Sequence, residues 1–213
     1  RFHAQPNACP DCGPYCWLET PDGELVASES PFHTLGEALR DGLIVAIKGI
    51  GGVHLACDAT NEQAVKRLRE RKQRPHKALA LMAANIEAIR QFARVNEQDE
   101  ALLAHPAAPV VLLSTQEKTD QLRAIAPSVA PDNTKIGVML PYSPVHHLLL
   151  AEVDFPLVMT SGNRSGEPQA ITNDAARSQL YGIADLLLLQ NRPIHNRLDD
   201  SVVVAGKHGT QIL

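Results

Sequence analysis

The sequence predicts an α/β fold in which buried strands alternate with helices. Short apolar runs without charge, such as residues 43–47 and 157–160, are typical of strands that are covered on both faces. Amphipathic segments lie between them and begin at capping residues such as Asn61. We therefore expect a twisted, largely parallel or mixed sheet with helices on both faces. Because only 4% of the 213 residues are aromatic, the core should be aliphatic.

The elements follow one another with short connections. Thr34 and Glu37 form a capping-box pattern that opens the first helix, and Gly42 should close it. Ser143 and Pro144 open a later helix in the same way. The predicted helices span residues 34–42, 61–73, 85–93, 97–104, 143–153 and 172–180. The predicted strands span residues 43–49, 51–59, 78–83, 110–113, 136–140, 157–160 and 184–190.

The N-terminal segment carries two cysteines with the spacing of a metal-binding knuckle. Cys9 and Cys12 lie in CPDCGP, a turn that lets two thiolates point at one metal. A structural zinc site needs four ligands. Either His3 and Cys16 complete a cramped set, or a second knuckle lies upstream of the chain. We favour the second interpretation, in which Cys9 and Cys12 are half of a Zn²⁺ site.

Both ends of the chain are expected to be internal to a longer protein. The chain starts on arginine rather than methionine and stops on the apolar, strand-like GTQIL. We interpret residues 1–16 as the C-terminal remnant of a zinc-finger-like module. Residues 17–213 then form one large α/β domain.

Charge is concentrated in one part of the chain. Residues 66–77 contain seven basic residues and one acidic residue, a net charge of +6. The whole chain carries −4, so the remainder sums to −10 and the basic segment acts as a local field. A solvated helix face is the alternative, and it suits Lys66, Arg67 and Arg69. It suits Arg74 less well, because Arg74 precedes a proline, beyond the predicted helix end.

Two motifs about 90 residues apart indicate a ligand site. The first has three cations in six residues where a helix ends: Lys72, Arg74 and Lys77. The second has hydroxyl and amide groups just after a buried strand: Thr160, Ser161 and Asn163. Strand ends followed by small polar loops are where open α/β sheets bind ligands. Cations with hydrogen-bonding groups predict an open basic cleft for a phosphorylated ligand, most simply a nucleotide.

Several function classes are disfavoured by what the sequence lacks. It contains no Walker-type phosphate loop, no GxGxxG after a strand and no nucleophile elbow. A double-stranded RNA or tRNA binding module using the basic segment is an alternative, but the acidic remainder and the few aromatic residues oppose it. No apolar run approaches membrane-spanning length, so we expect a cytoplasmic protein without a membrane partner.

The two motifs resemble the Lys-x-Arg and Ser-x-Asn signature of the YrdC family of carbamoyl-adenylate-forming enzymes. The resemblance covers residues 30–213. Four further stretches resemble specifically the HypF branch, the hydrogenase-maturation carbamoyltransferases: CPDCGP, KGIGGVHLACDATN, MLPYSPVHHLLL and IHNRLDDSVV. In that branch a YrdC-like domain follows two zinc-finger-like modules. The resemblance thus implies a YrdC-like fold for residues 17–213, and Zn²⁺ at Cys9 and Cys12 in the full-length protein.

The resemblance also implies a reaction. Carbamate, obtained from carbamoyl phosphate, and ATP would give carbamoyl-adenylate and pyrophosphate. The carbamoyl group would then pass through other domains of the longer chain to a HypE-like acceptor, for synthesis of the cyanide ligand of nickel–iron hydrogenase. Lys72, Arg74 and Lys77 are the catalytic candidates, with Mg²⁺. The remaining nucleotide or acyl contacts implied by the second motif are Thr160, Ser161 and Asn163.

The sequence departs from the threonine-using members of the YrdC family in one place. Those members carry a Pro-Thr-acidic motif between the first two strands, where this chain has Lys48 and Gly49. The change implies a smaller substrate, carbamate itself, anchored by Lys48. A threonylcarbamoyl-adenylate synthase of tRNA modification is the alternative that this departure opposes.

Residues 195–200, which we call the C-terminal wall, supply the remaining candidate residues. His195 and Arg197 are taken as nucleotide-binding residues. Asp199 and Asp200 either ligate Mg²⁺ or cap a strand, and the sequence leaves both possibilities open.

Overall fold

The computed structural model describes residues 9, 11, 13–116, 124–206 and 209–213. Within these residues, eleven strands form a single mixed sheet with the order β11-β10-β6-β7-β5-β8-β4-β3-β9-β1-β2. The strands are β1 Cys16–Glu19, β2 Leu25–Val26, β3 Val45–Lys48, β4 Val53–Asp58, β5 Leu81–Met82, β6 Val110–Ser114, β7 Lys135–Met139, β8 Leu157–Ser161, β9 Leu186–Gln190, β10 Val202–Gly206 and β11 Gly209–Ile212.

Helices cover both faces of this sheet, as the sequence predicted. They are α1 Pro31–Arg40, α2 Glu62–Lys72, α3 Ile86–Arg90, α4 Glu97–Leu103, α5 Pro144–Ala151 and α6 Asn173–Leu180. Helices α1 and α5 pack on one face, where Leu39 and Leu149 are fully buried. Helices α2, α3, α4 and α6 pack on the other, where Leu68 and Leu180 are fully buried. The fold therefore has three layers with two aliphatic cores.

The sheet is mixed rather than largely parallel. Only β10 with β6, β3 with β9 and β5 with β7 pair in parallel, and the other described pairings are antiparallel. Continuous apolar runs show that a strand is buried on both faces, but they do not give its direction. The glycine-rich turn of residues 49–52 joins β3 and β4 as a hairpin, which fixes that pair as antiparallel.

Most helix starts agree with the predicted caps, with one correction. The side chain of Asn61 accepts hydrogen bonds from Gln63 N and Ala64 N at the start of α2. The predicted capping box at Thr34 is wrong, because α1 begins one turn earlier at Pro31, with Ser30 as its cap. A proline at the first helical position supplies the required φ and needs no N–H partner there.

The N-terminal boundary also shifts by one residue. Cys16, assigned from the sequence to the N-terminal module, is the first residue of β1 and pairs with Gln190 of β9. Tyr15 and Asn191 exchange hydrogen bonds just before this pairing. The domain division otherwise stays a prediction, since His3 and Cys12 lie outside the described residues.

No helix in the described part of the chain is long and apolar enough to cross a membrane.

Candidate functional site

The two motifs that are distant in sequence line one cavity. Helix α2 ends at Lys72 because Gln73 adopts the left-handed conformation, with φ at 52°. Strand β8 ends at Ser161, next to the turn that α2 leads into. The cavity has a volume of about 420 Å³ and is lined by Lys72, Gln73, Arg74, Pro75, His76, Lys77, Ser161, Asn163, Ser165 and Gly166. We refer to residues 72–77 as the basic loop and to residues 161–166 as the polar loop.

Lys72 joins the two loops. Its side chain is buried, and Nζ donates to Ser161 O at 2.5 Å and to Asn163 O and Oδ1 at 2.8 Å each. These three acceptors account for all three ammonium protons. Burial, together with the positive charges of Arg74 and Lys77, lowers the pKa of Lys72 to about 8. Lys72 therefore holds the polar loop in place and keeps a positive charge beneath the cavity.

The polar loop is further fixed by its own side chains. Ser161 Oγ donates to Asn163 Oδ1 at 2.7 Å, and Asn163 Nδ2 donates to Glu167 O at 2.5 Å. Asn163 Oδ1 thus accepts from both Lys72 and Ser161. This network orders the polar loop without a ligand, which lowers the entropic cost of binding one.

Arg74 has donors that the described part of the protein leaves largely unused. Nη1 donates to Thr160 Oγ1 at the long distance of 3.4 Å. Its buried Nε has no hydrogen-bond partner among the described residues. Burial lowers the pKa of Arg74, so the guanidinium bears a desolvation cost that an anion would offset. Lys77 is exposed at the same cavity.

Lys48 lies apart from this cavity. It is buried at the end of β3, and its Nζ donates to Gln190 O at 3.2 Å. Gln190 Nε2 in turn donates to Lys48 O and Gly49 O. Burial lowers the pKa of Lys48. Lys48 is not among the residues that line the 420 Å³ cavity, so its predicted role as an anion anchor stays a prediction.

The C-terminal wall packs on the glycine-rich turn rather than on the basic loop. Arg197 Nε donates to Gln169 O at 2.9 Å, and the Gln169 side chain occupies the space where a Cβ at Gly52 would lie. Leu198 N donates to Gly51 O. Neither Arg197 nor the exposed His195 lines the 420 Å³ cavity.

Asp199 and Asp200 line a separate cavity of about 280 Å³ beside Tyr142. Asp200 Oδ2 lies 3.9 Å from Nε2 of the buried His54. Within the described ranges, no group of three or more His, Cys, Asp or Glu side chains is arranged to hold a metal ion. The predicted Zn²⁺ half-site is not tested by the structure, because Cys9 is described whereas Cys12 is not.

A buried histidine cluster was not predicted as a unit. His54 of β4 contacts Tyr142 and His146, with ring centroids 6.5 and 5.8 Å apart. His146 is fully buried, and neither ring nitrogen has a partner in the part of the chain that is described. Burial, with His54 and His147 nearby, lowers the pKa of His146 to about 3. No local sequence pattern marks this cluster, because it joins separate elements.

The basic residues of α2 differ from the solvated face considered from sequence. Lys66 is exposed and pairs with Glu62 at 3.2 Å. Arg67 instead donates to Gly42 O, which lies beyond α1. Arg69 is only 7% exposed and donates to backbone carbonyls of the basic loop. The solvated-face interpretation is therefore wrong for Arg67 and Arg69.

Comparison with known proteins agrees with the geometry. Residues 37–213 match the Sua5/YciO/YrdC family, described as telomere recombination, and residues 1–19 match the HypF finger. The carbamoyltransferase HypF of Rhodobacter capsulatus is 50% identical over 206 residues, which are 95% of this chain and 26% of the relative. The chain thus spans about a quarter of the length of that curated relative.

A solved structure and a more distant relative complete the comparison. Full-length HypF in a phosphate- and nucleotide-bound form superposes with a TM-score of 0.91 at 43% identity, covering 100% of this chain and 27% of that chain. The threonylcarbamoyl-AMP synthase of Vibrio campbellii is 28% identical over 165 residues, which are 70% of this chain and 80% of the relative. The chain is therefore more similar to HypF than to the threonine-using synthase.

Proposed function

We infer the function of this chain from its family, since it belongs to the Sua5/YciO/YrdC family and is similar in sequence to the HypF carbamoyltransferases. We propose that it is the ATP-binding, adenylate-forming part of a carbamoyltransferase. The observation that carries the proposal is the single cavity lined by the basic loop and the polar loop. It combines a cation with unused donors, Arg74, and a loop that is already ordered by Lys72.

The proposed reaction is a substitution at the α-phosphorus of ATP. An oxygen of carbamate forms a bond to that phosphorus, the bond to the bridging oxygen breaks, and pyrophosphate leaves with the electron pair. The products are carbamoyl-adenylate and pyrophosphate. Carbamate is already an anion, so no general base is required. What the step requires is alignment of the reactants and neutralisation of charge on the phosphates.

Each cavity residue has a distinct proposed role. Arg74 grips two phosphate oxygens, because a guanidinium presents paired donors in a plane. Lys77, which is exposed at the cavity, contributes a positive charge to the pyrophosphate that leaves. Lys72, Ser161 and Asn163 keep the polar loop in the shape that receives the nucleotide.

Thr160 is buried in β8 just before the polar loop, and its Oγ1 lies 3.4 Å from Arg74 Nη1. We assign its hydroxyl to the small acyl substrate or to the phosphate beside it. Mg²⁺ would arrive on the ATP phosphates, because none of the described residues that line the cavity is a carboxylate and Mg²⁺ binds readily through phosphates and water. Bound in this way, it would neutralise charge on the phosphate oxygens.

The wider activity belongs to the longer protein. Carbamate would derive from carbamoyl phosphate, and the carbamoyl group would leave through other domains of the same chain to a HypE-like acceptor. There it would supply the cyanide ligand of a nickel–iron hydrogenase. Zn²⁺ would be held by Cys9 and Cys12 with two ligands from the preceding part of the finger. The match to the HypF finger at residues 1–19 supports this assignment.

The acyl substrate is tested by exchange of labelled pyrophosphate into ATP. We expect exchange with carbamoyl phosphate, or with bicarbonate and ammonia, and no increase when threonine is added to bicarbonate. Lys48→Ala should reduce the carbamate-dependent exchange and leave ATP affinity unchanged, since Lys48 lies outside the nucleotide cavity. Exchange stimulated by threonine in the unmodified chain would identify it instead as a threonylcarbamoyl-adenylate synthase.

A further inference from the structure

Arg69 stands out among the cations of α2 because its guanidinium is buried and, among the described residues, donates hydrogen bonds only to backbone oxygens. Nε donates to Ser128 O at 2.5 Å, and Nη2 donates to Val129 O at 3.1 Å. Nη1 donates to Arg74 O, Pro75 O and Lys77 O, at 2.7, 3.2 and 3.1 Å. One side chain therefore joins three peptide groups of the basic loop to the turn that contains Ser128 and Val129.

The turn that accepts hydrogen bonds from Arg69, at Ser128 and Val129, is itself held by α2. Glu62, seven residues before Arg69 and thus on the same side of the helix, accepts hydrogen bonds from Ser128 N at 3.0 Å and from Ser128 Oγ at 2.6 Å. Leu79 N, just after the basic loop, donates to Val129 O. The turn is thereby held on two sides, and the Arg69 guanidinium has a rigid support.

The contacts of Arg69 also set the direction of the loop's peptide groups. In a trans peptide the C=O of one residue and the N–H of the next point in opposite directions. Because Pro75 O and Lys77 O point at Arg69, the N–H groups of His76 and Ala78 point away from it. Neither N–H has a hydrogen-bond acceptor among the residues that are described. His76 lines the 420 Å³ cavity.

The electrostatic environment of Arg69 supports a task other than pairing with an acid. In the described part of the chain it forms no ion pair, and its donors end on carbonyl oxygens. Burial and the charge of Arg74 lower its pKa, and the charge of Glu62 partly offsets this. A buried cation beside a second cation is costly. Five hydrogen bonds from the charged guanidinium to carbonyl oxygens, three of them in the basic loop, offset that cost.

We propose that Arg69 is a positioning residue of the nucleotide site. It fixes the backbone of residues 74–78 so that Arg74 and Lys77 stand at the cavity before the phosphates arrive. The proposal rests on the proposed function, since it assigns ATP to this cavity. Arg69 itself does not touch the ligand and acts through the loop.

The test compares Arg69→Met with Arg67→Met in the full 213-residue chain. Arg67 is the matched control, because it lies on the same helix and its guanidinium also donates to a backbone carbonyl, that of Gly42, away from the cavity. Both variants lose a charge and a tertiary contact, so both should lower the melting temperature. By calorimetric titration with a non-hydrolysable ATP analogue, we expect the Kd to rise about tenfold or more for Arg69→Met and less than about twofold for Arg67→Met.

A second measurement separates this proposal from the assignment of ATP. In Arg69→Met without nucleotide, amide hydrogen exchange at Leu79, whose N–H donates to Val129 O just after the basic loop, should be faster than in the unmodified chain, while Arg67→Met should leave it unchanged. If Arg69→Met does not fold, Arg69→Lys replaces it; an ammonium has three donors instead of five, and an intermediate Kd is expected. Equal rises in Kd for the Arg69 and Arg67 variants, or unchanged exchange at Leu79 in Arg69→Met, would overturn the proposal. If the unmodified chain does not bind ATP, the proposed function fails and the exchange measurement still decides the role of Arg69.

Discussion

Removal of the Arg74 side chain should weaken ATP binding without lowering the melting temperature of the unliganded protein. In Arg74→Ala the only side-chain hydrogen bond lost within the described protein is the 3.4 Å contact with Thr160. The substitution also removes a positive charge that lowers the pKa values of Lys72 and Arg69. The unliganded protein should therefore keep its melting temperature or gain slightly, although the site is damaged.

The expected loss of ATP affinity follows from the donors of Arg74. Two hydrogen bonds to phosphate oxygens at about 1.5–3 kcal/mol each, reduced because the cavity is partly open to water, give about 2–4 kcal/mol. This corresponds to a rise in Kd of about 30- to 1000-fold. Calorimetric titration with a non-hydrolysable ATP analogue measures it.

Lys66→Ala is the control for net charge. Lys66 lies on the same helix, but its side chain is 61% exposed and pairs with Glu62. Because exposed ion pairs contribute little, its removal should change the Kd less than about threefold. Equal effects of Arg74→Ala and Lys66→Ala would refute the reasoning and indicate a diffuse electrostatic attraction.

Three further predictions concern protonation and the N-terminus. The pKa of Lys72 is about 8, and the negative phosphates of bound ATP would raise it, so ATP binding at a pH slightly above 8 should be accompanied by uptake of a proton. Calorimetry in buffers of different ionisation enthalpy measures this uptake, and Lys72→Met should abolish it. Burial lowers the pKa of His146 from 6.5 to about 3 on folding, so the unfolded state binds the proton at a higher pH than the folded state does. The free energy of unfolding should therefore be full above about pH 6.5 and fall toward pH 3 by at most about 1.4 kcal/mol per pH unit. In urea unfolding, His146→Leu should flatten this slope, and an unchanged slope would contradict the account. Deletion of residues 1–12 should leave the melting temperature nearly unchanged, whereas deletion of residues 1–19 should lower it, because β1 pairs with β9. An equal fall in melting temperature for both deletions would show that residues 1–12 stabilise the domain.

The parts of the fold that the sequence predicted are those with a strong local pattern. The continuous apolar runs before Lys48 and Ser161 are strands buried on both faces, and these two polar residues are the last residues of their strands. The start of α2 at Asn61 was equally clear, since the amide caps the first turn. Strand β1 was missed because Cys16–Glu19 is only four residues long and is recognisable only through its partner β9.

The candidate site was predictable in composition and not in its internal contacts. Charge and hydroxyl groups indicated the cavity residues, but the partners of Lys72 and Arg69 are backbone oxygens, which every residue carries. No sequence pattern reports which carbonyl a cation will meet. For the same reason, Arg69 was assigned to a solvated face, although it is one of the most buried cations among the described residues.

A crystal structure of this chain with a non-hydrolysable ATP analogue and Mg²⁺ tests the central claim most directly. The account predicts the phosphates in the cavity between the basic loop and the polar loop, with oxygens within hydrogen-bonding distance of the Arg74 guanidinium and of Lys77, and with Lys72 still bound to Ser161 and Asn163. Phosphates bound elsewhere, for example beside Lys48 or in the cavity of Asp199 and Asp200, would contradict it.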